Sequence, residues 1–178
     1  MEQAVLIVMG SDTDFPIMEA CLKTLDTFEI PYQIRVCSAH RTPEWASRLA
    51  SQAEENGYAV IIAAAGLAAH LPGVLASWTT LPVIGVPIKS GALSGQDALY
   101  AIVQMPPGVP VATVAIDGSE NAAILAVQIL SVSNPRLKEK LKEHKKMLAA
   151  SVAAKQEKIE QQWLEHRKQN SELHGFEK

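Results

Sequence analysis

The chain has 178 residues, 48% of them apolar, and a formal charge of −3. That length builds one domain with a proper buried core, and the lack of a basic excess argues against a nucleic-acid partner. No uninterrupted apolar run reaches the ~18 residues a membrane helix needs, and Met1-Glu2-Gln3 leads straight into a strand with no signal-peptide layout.

Residues 4–9, Ala-Val-Leu-Ile-Val-Met, read as a buried first strand that opens into Gly10-Ser11-Asp12-Thr13-Asp14. Asp14 or Thr13 caps the next helix, Pro16 lies in its first turn, and Ile17, Cys21, Leu25 and Phe28 recur at helical spacing. A second strand over 32–36 leads into Ser38-Ala39-His40-Arg41-Thr42-Pro43. Thr42 is a good cap for the following helix, with Pro43 at N1 and Glu44 in the first turn, and Asn56-Gly57 ends it. The third strand, 59–65, opens into Gly66-Leu67-Ala68-Ala69-His70, and a short helix follows Pro72. A fourth strand over 83–86 stands between Pro82 and Pro87, a helix runs from about 95 to 103, a fifth strand covers 111–116, and 121–130 is an Ala-rich buried helix. This βα alternation predicts a three-layer α/β/α sandwich around a parallel five-stranded sheet. Residues 1–133 form that domain.

The tail, 134–178, is read as a helical extension. Asn134-Pro135 caps a helix that no Gly or Pro interrupts to about Asn170. Leu137, Leu141, Met147, Leu148, Val152, Ile159 and Trp163 recur mostly at three- to four-residue steps or small multiples of them. Such a helix, ~50 Å long, outruns a domain ~30–35 Å across, so it must break or reach a neighbouring subunit. A frayed charged tail is the plainer alternative. The two cysteines, Cys21 and Cys37, lack metal-type spacing. They are expected to be buried thiols in a reduced, cytoplasmic protein.

Three strands thus end in loops of small residues, hydroxyls, Asp, Arg or His, and ligands of open parallel sheets sit at those carboxyl ends. Ser11, Asp12 and Thr13 offer hydroxyl and amide donors to an anion, although the same residues also serve as an ordinary cap. A carboxylate in such a loop suits a vicinal diol. Ser38 and Arg41 are phosphate-binding types, Arg offering a bidentate fork. His40 between them can give and take one proton in a cycle. Gly66 and its Ala neighbours let a ligand approach the backbone closely. His70 reads equally as a second functional imidazole or as a structural His beside Leu71-Pro72-Gly73. His144, His166 and His174 lie in the charged tail and read as solvated. Phosphate-loop and dinucleotide signatures are missing.

These motifs together resemble the class I N5-carboxyaminoimidazole ribonucleotide mutase family (PurE, in the AIR carboxylase superfamily). The resemblance runs over nearly all of residues 4–131. It rests on Met9 to Asp14, Ser38 to Pro43, Ala68 to Gly73, Leu81 to Pro87 and Ile102 to Pro106. It implies a flavodoxin-like fold, a homo-octamer with active sites at subunit junctions, and no metal or organic cofactor. It also implies a small ribonucleotide substrate whose carboxylate migrates from N5 to ring carbon C4, in purine (IMP) biosynthesis. Carried over, Ser11 lies beside the migrating carboxylate, and Thr13, Ser38 and Arg41 hold the 5′-phosphate. Asp14 takes the ribose hydroxyls, and His40 is the general acid/base. Gly66 and Ala68 line the carboxylate or CO2 pocket, with His70 nearby as a further catalytic candidate. The chain departs from the family at Ala64 and Leu67, where glycines are usual, and at Ala98 and Ala101, where Ser is frequent. The Arg41-Thr42-Pro43 and His70-Leu71-Pro72-Gly73 forms favour this class over the class II carboxylase, which takes CO2 and aminoimidazole ribonucleotide directly. A non-catalytic phosphoribosyl-ligand binding module is the remaining rival.

Overall fold

The computed structural model describes the backbone of residues 4–173 and the side chains of residues 4–168. Met1-Glu2-Gln3 and His174, both used in the sequence reading, lie outside the described residues. β1 (Ala4–Met9) is apolar along its length because both of its faces are covered. It pairs with β2 (Tyr32–Val36) on one side and β3 (Tyr58–Gly66) on the other. β4 (Val83–Ile88) and β5 (Ala112–Thr113) extend the sheet, which is all parallel in the order β2-β1-β3-β4-β5. That order is the flavodoxin-like one.

Side chains alternate across the strands, so the two faces build separate cores. Leu6, Val8, Ile61 and Ala63 face a layer made by α2 (Pro43–Ser51), α3 (Leu71–Ala76) and α4 (Gln96–Val103). On the opposite face α1 (Phe15–Thr27) packs against α5 (Ser119–Ser131), burying Met18, Cys21 and Leu25. This is the expected three-layer sandwich.

Local boundaries differ from the sequence reading in several places. β4 runs through Pro87 to Ile88 instead of ending at Val86. β5 pairs only at Ala112 and Thr113. The Pro87 carbonyl accepts from Asp117 N–H at 2.8 Å on the β5 side, and proline has no N–H to return on that side, so the ladder cannot continue. α2 stops at Ser51, and residues 52–57 form turns that end at Gly57 with φ +85°. Glu54 and Glu55 would bring negative charge to a helix C-terminus, which the helix dipole disfavours. Asp14 and Thr42 occupy the N-cap positions of α1 and α2, yet neither side chain caps its helix. Both are engaged in the loops described below.

The chain divides into two compact units after Lys138. The first holds the sheet, its five helices and the start of α6 (Pro135–Leu173). There Asn134 Oδ1 accepts from the N–H groups of Arg136 and Leu137 at 3.1 and 3.3 Å, the expected cap. The second unit is the rest of this single 39-residue helix. Glu139–Lys142 and Glu143–Lys146 pairs support it, and Met147, Leu148, Val152, Ile159, Trp163 and Leu164 are exposed along it. Among the described residues, no helix is long and apolar enough to cross a membrane.

Candidate active site

The first loop is built around a capping box. Ser11 precedes a single 3-10 turn (Asp12–Asp14), and its hydroxyl accepts from Thr13 N–H at 3.3 Å and from Thr13 Oγ1 at 2.9 Å. In return Asp14 Oδ2 accepts from Ser11 N–H at 3.1 Å. This explains why Asp14 does not cap α1: its carboxylate is already committed. Asp14 is only 6% exposed. Burial pushes its carboxyl above the usual 3.8, the Ser11 and Gly10 N–H groups pull it down, and the Asp12 charge adds to the rise.

The second loop is tied by Thr42. Its hydroxyl donates to the Ser38 carbonyl at 2.9 Å and accepts from Ser38 N–H at 3.1 Å, closing residues 38–42 into a compact turn. Ser38 Oγ accepts from Arg41 N–H at 3.2 Å and Arg41 Nε at 3.4 Å. No carboxylate pairs with the Arg41 guanidinium among the described residues. Cys37 is buried directly before this loop, and burial raises its thiol pKa, with a Thr42 contact lowering it; burial lifts the Cys21 thiol to about 12. Both are inert thiols, as expected.

The two imidazoles meet. His40 Nε2 lies 2.6 Å from His70 Nδ1, with ring centroids 4.7 Å apart at 64°. At that distance one nitrogen carries the proton and the other accepts it. His70 is therefore joined to His40 rather than merely seated in a turn. All nine candidate residues line one cavity of about 520 Å³: Ser11, Thr13 and Asp14 from the first loop, Ser38, His40 and Arg41 from the second, and Gly66, Ala68 and His70 from the third. Hydroxyl and guanidinium donors, a buried carboxylate and a hydrogen-bonded imidazole pair thus share one space. Among the described residues no cluster of His, Cys, Asp and Glu has the makings of a metal site.

Sequence comparison matches residues 4–151 to the family described as AIR carboxylase. The chain belongs to the AIR carboxylase family. It is 61% identical over 139 residues to an N5-carboxyaminoimidazole ribonucleotide mutase from Pyrococcus abyssi, covering 78% of this chain and 80% of that one. A mutase of the same name from Pyrococcus horikoshii is 56% identical over 155 residues, 87% of this chain and 88% of its own. Among solved structures, Treponema denticola PurE superposes with a TM-score of 0.77 at 30% identity, covering 84% of this chain and 94% of its own.

The third loop carries two of the positions, Ala64 and Leu67, at which the resemblance implies glycine. Ala64 needs no glycine: it is fully buried inside β3. Leu67 does occupy a left-handed conformation, φ +54°, and Ala69 follows at φ +29°. The loop keeps its turn at the cost of strained non-glycine backbone beside the cavity. A Cβ at Gly66 would lie 2.5 Å from Ser90 Oγ and 3.3 Å from the Ile88 carbonyl, so a side chain there would displace the Ser90 hydroxyl from the cavity wall. Ser90 was not anticipated from the sequence. It lies two residues after the end of β4 and lines the cavity, and its hydroxyl is buried without a partner. The rule that strand ends carry ligands, applied to a fourth strand, would have pointed to it.

Proposed function

We propose that the protein interconverts N5-carboxyaminoimidazole ribonucleotide and 4-carboxyaminoimidazole ribonucleotide in de novo purine (IMP) biosynthesis, as an isomerase that needs no cofactor. The observation that carries the reading is the 2.6 Å His40–His70 contact in a cavity that Thr13, Ser38 and Arg41 also line. The high identity to relatives named as mutases supports the same reaction.

Thr13, Ser38 and Arg41 hold the 5′-phosphate, and Asp14 accepts from the ribose hydroxyls with its remaining oxygen lone pairs. This places the imidazole ring toward Ser11, Gly66, Ala68 and the His pair. His40 as imidazolium gives its proton to N5 as the N5–carboxylate bond breaks, leaving aminoimidazole ribonucleotide and CO2. Ring carbon C4 attacks the retained CO2, and His40 takes the C4 proton, which restores it for the next turnover. His70 holds the His40 ring and its tautomer through the shared hydrogen bond. The alanines of the third loop exclude water, so CO2 stays in place. His40→Asn should still bind the ribonucleotide while turnover falls by at least about a hundredfold, the usual share of acid–base catalysis; near-wild-type turnover would remove His40 from the role. Product formation from the carbamate substrate should not depend on added bicarbonate. Dependence on bicarbonate with aminoimidazole ribonucleotide would mark a class II carboxylase instead.

The protein works in the cytoplasm as a homo-octamer, with α6 lying against neighbouring subunits. The exposed apolar side chains of that helix support this, since an unpartnered stripe of this kind calls for a covering surface. Light scattering should give eight times the 19.2 kDa chain mass; a monomer at micromolar concentration would refute the assembly.

A further inference from the structure

On the sheet face that carries α2, a second cavity of about 270 Å³ opens between that helix and the edge strand β2. Its walls are two periodic stripes. Trp45, Arg48, Leu49 and Gln52 come from α2 and its C-terminal turn at i, i+3, i+4 and i+7; Gln33 and Arg35 come from β2 at i and i+2. A helix stripe facing a strand ordinarily interdigitates with it at crystal-like density. Here the walls stay apart, and the gap is lined by hydrogen-bond donors.

Gln33 Oε1 accepts from Arg35 Nη2 at 2.6 Å and from Tyr58 Oη at 2.7 Å, which leaves the Gln33 amide hydrogens for another acceptor. Arg35 Nη1 donates to the Ile34 carbonyl at 2.8 Å, so three of its five N–H groups remain. The Arg48 guanidinium lies over the Trp45 ring, 5.7 Å from its centroid. Neither arginine makes an ion pair among the described residues, and no carboxylate lines the cavity. Two positively charged side chains thus line one cavity in a chain whose net charge is −3.

We propose that this cavity is a second binding site, for a small sugar phosphate. Arg35 and Arg48, one from each wall, take the phosphate oxygens through charge-assisted hydrogen bonds. The carboxamides of Gln52 and Asn56 each pair a donor with an acceptor, which is what a sugar hydroxyl requires. Trp45 supplies apolar ring surface for the sugar's C–H face. The cavity has about half the volume of the active-site cavity, which matches a phosphorylated pentose more closely than a whole ribonucleotide.

The test is calorimetric titration of the full-length protein with ribose 5-phosphate, with ribose and inorganic phosphate as controls. The wild type should bind two molecules per chain. Arg41→Ala should bind one, at the new site, so this arm reads the inference independently of the active-site reading. Arg48→Gln or Arg35→Gln in that background should weaken the remaining binding at least about tenfold, and neither change should alter mutase turnover. Tryptophan emission, read in a Trp78→Phe/Trp163→Phe protein, should respond to ribose 5-phosphate with the same affinity. Loss of all binding in Arg41→Ala overturns the inference and leaves the active-site assignment standing. Binding indifferent to Arg35 and Arg48, or equally strong for ribose, also overturns it. So does a change in oligomeric mass on Arg35→Gln without sugar-phosphate binding, which would give the cavity to carboxylates of a second copy.

Discussion

Removing the Arg41 side chain tests the orientation of substrate in the active site. Arg41 is exposed, and one of its five N–H groups is directed at Ser38 Oγ at 3.4 Å, so four donors are left for a ligand. A bidentate grip on a phosphate uses two of them. Hydrogen bonds to charged groups contribute ~1.5–3 kcal/mol each, but solvent screening at an exposed position holds the pair to the lower end, about 2–3 kcal/mol in total. At ~1.4 kcal/mol per decade, Arg41→Ala should weaken ribonucleotide binding about 30- to 140-fold. Arg41→Lys should recover part of this, since an ammonium keeps the charge and lacks the planar fork. Calorimetry with the ribonucleotide and with its dephosphorylated nucleoside isolates the phosphate. Wild type and Arg41→Ala should bind the nucleoside alike and differ only for the phosphorylated ligand. Melting temperature should not move, because the guanidinium supports no buried contact. If the alanine variant keeps the wild-type preference for the phosphorylated ligand, Arg41 is not the anchor, and the ribose and imidazole assignments built on it fail too.

Asp14→Asn should raise stability at pH 7 while abolishing tight ribonucleotide binding. Burial raises the Asp14 pKa, so the neutral acid is the form folding favours; the stability it contributes is full below the ordinary 3.8 and is lost as pH rises through the folded value. The stability gap between variant and wild type should therefore close in acid, and a gap that widens there would contradict the burial argument. Leu67→Gly should stabilise by up to about 1.5 kcal/mol: relief of ~1–2 kcal/mol of left-handed strain, offset by the ~0.5–1 kcal/mol entropic cost of glycine. Leu67 is 55% exposed, so little packing is lost, and denaturant midpoints at unchanged slope are the measure.

The alternation of apolar strands with capped, periodic helices made the sandwich legible from the chain itself. Ala4–Met9 and Tyr58–Gly66 are apolar on both faces, and only a strand covered on both sides tolerates that composition. Local chemistry also marked the three loops that line the cavity, because Gly, Ser, Asp, Arg and His cluster at the strand ends. What the sequence could not place was partnership across the chain. His40 and His70 are 30 residues apart, and whether their nitrogens meet depends on the parallel register of β1 between β2 and β3. The same holds for Asp14, whose carboxylate reads as a cap in isolation and becomes a buried, half-satisfied acceptor only when Gly10 and Ser11 are set against β3. Ser90 and the arginines beside Trp45 carry no local signature. Their significance arises from the space around them, and that space is decided by how the layers pack, which periodicity and propensity along one chain do not encode.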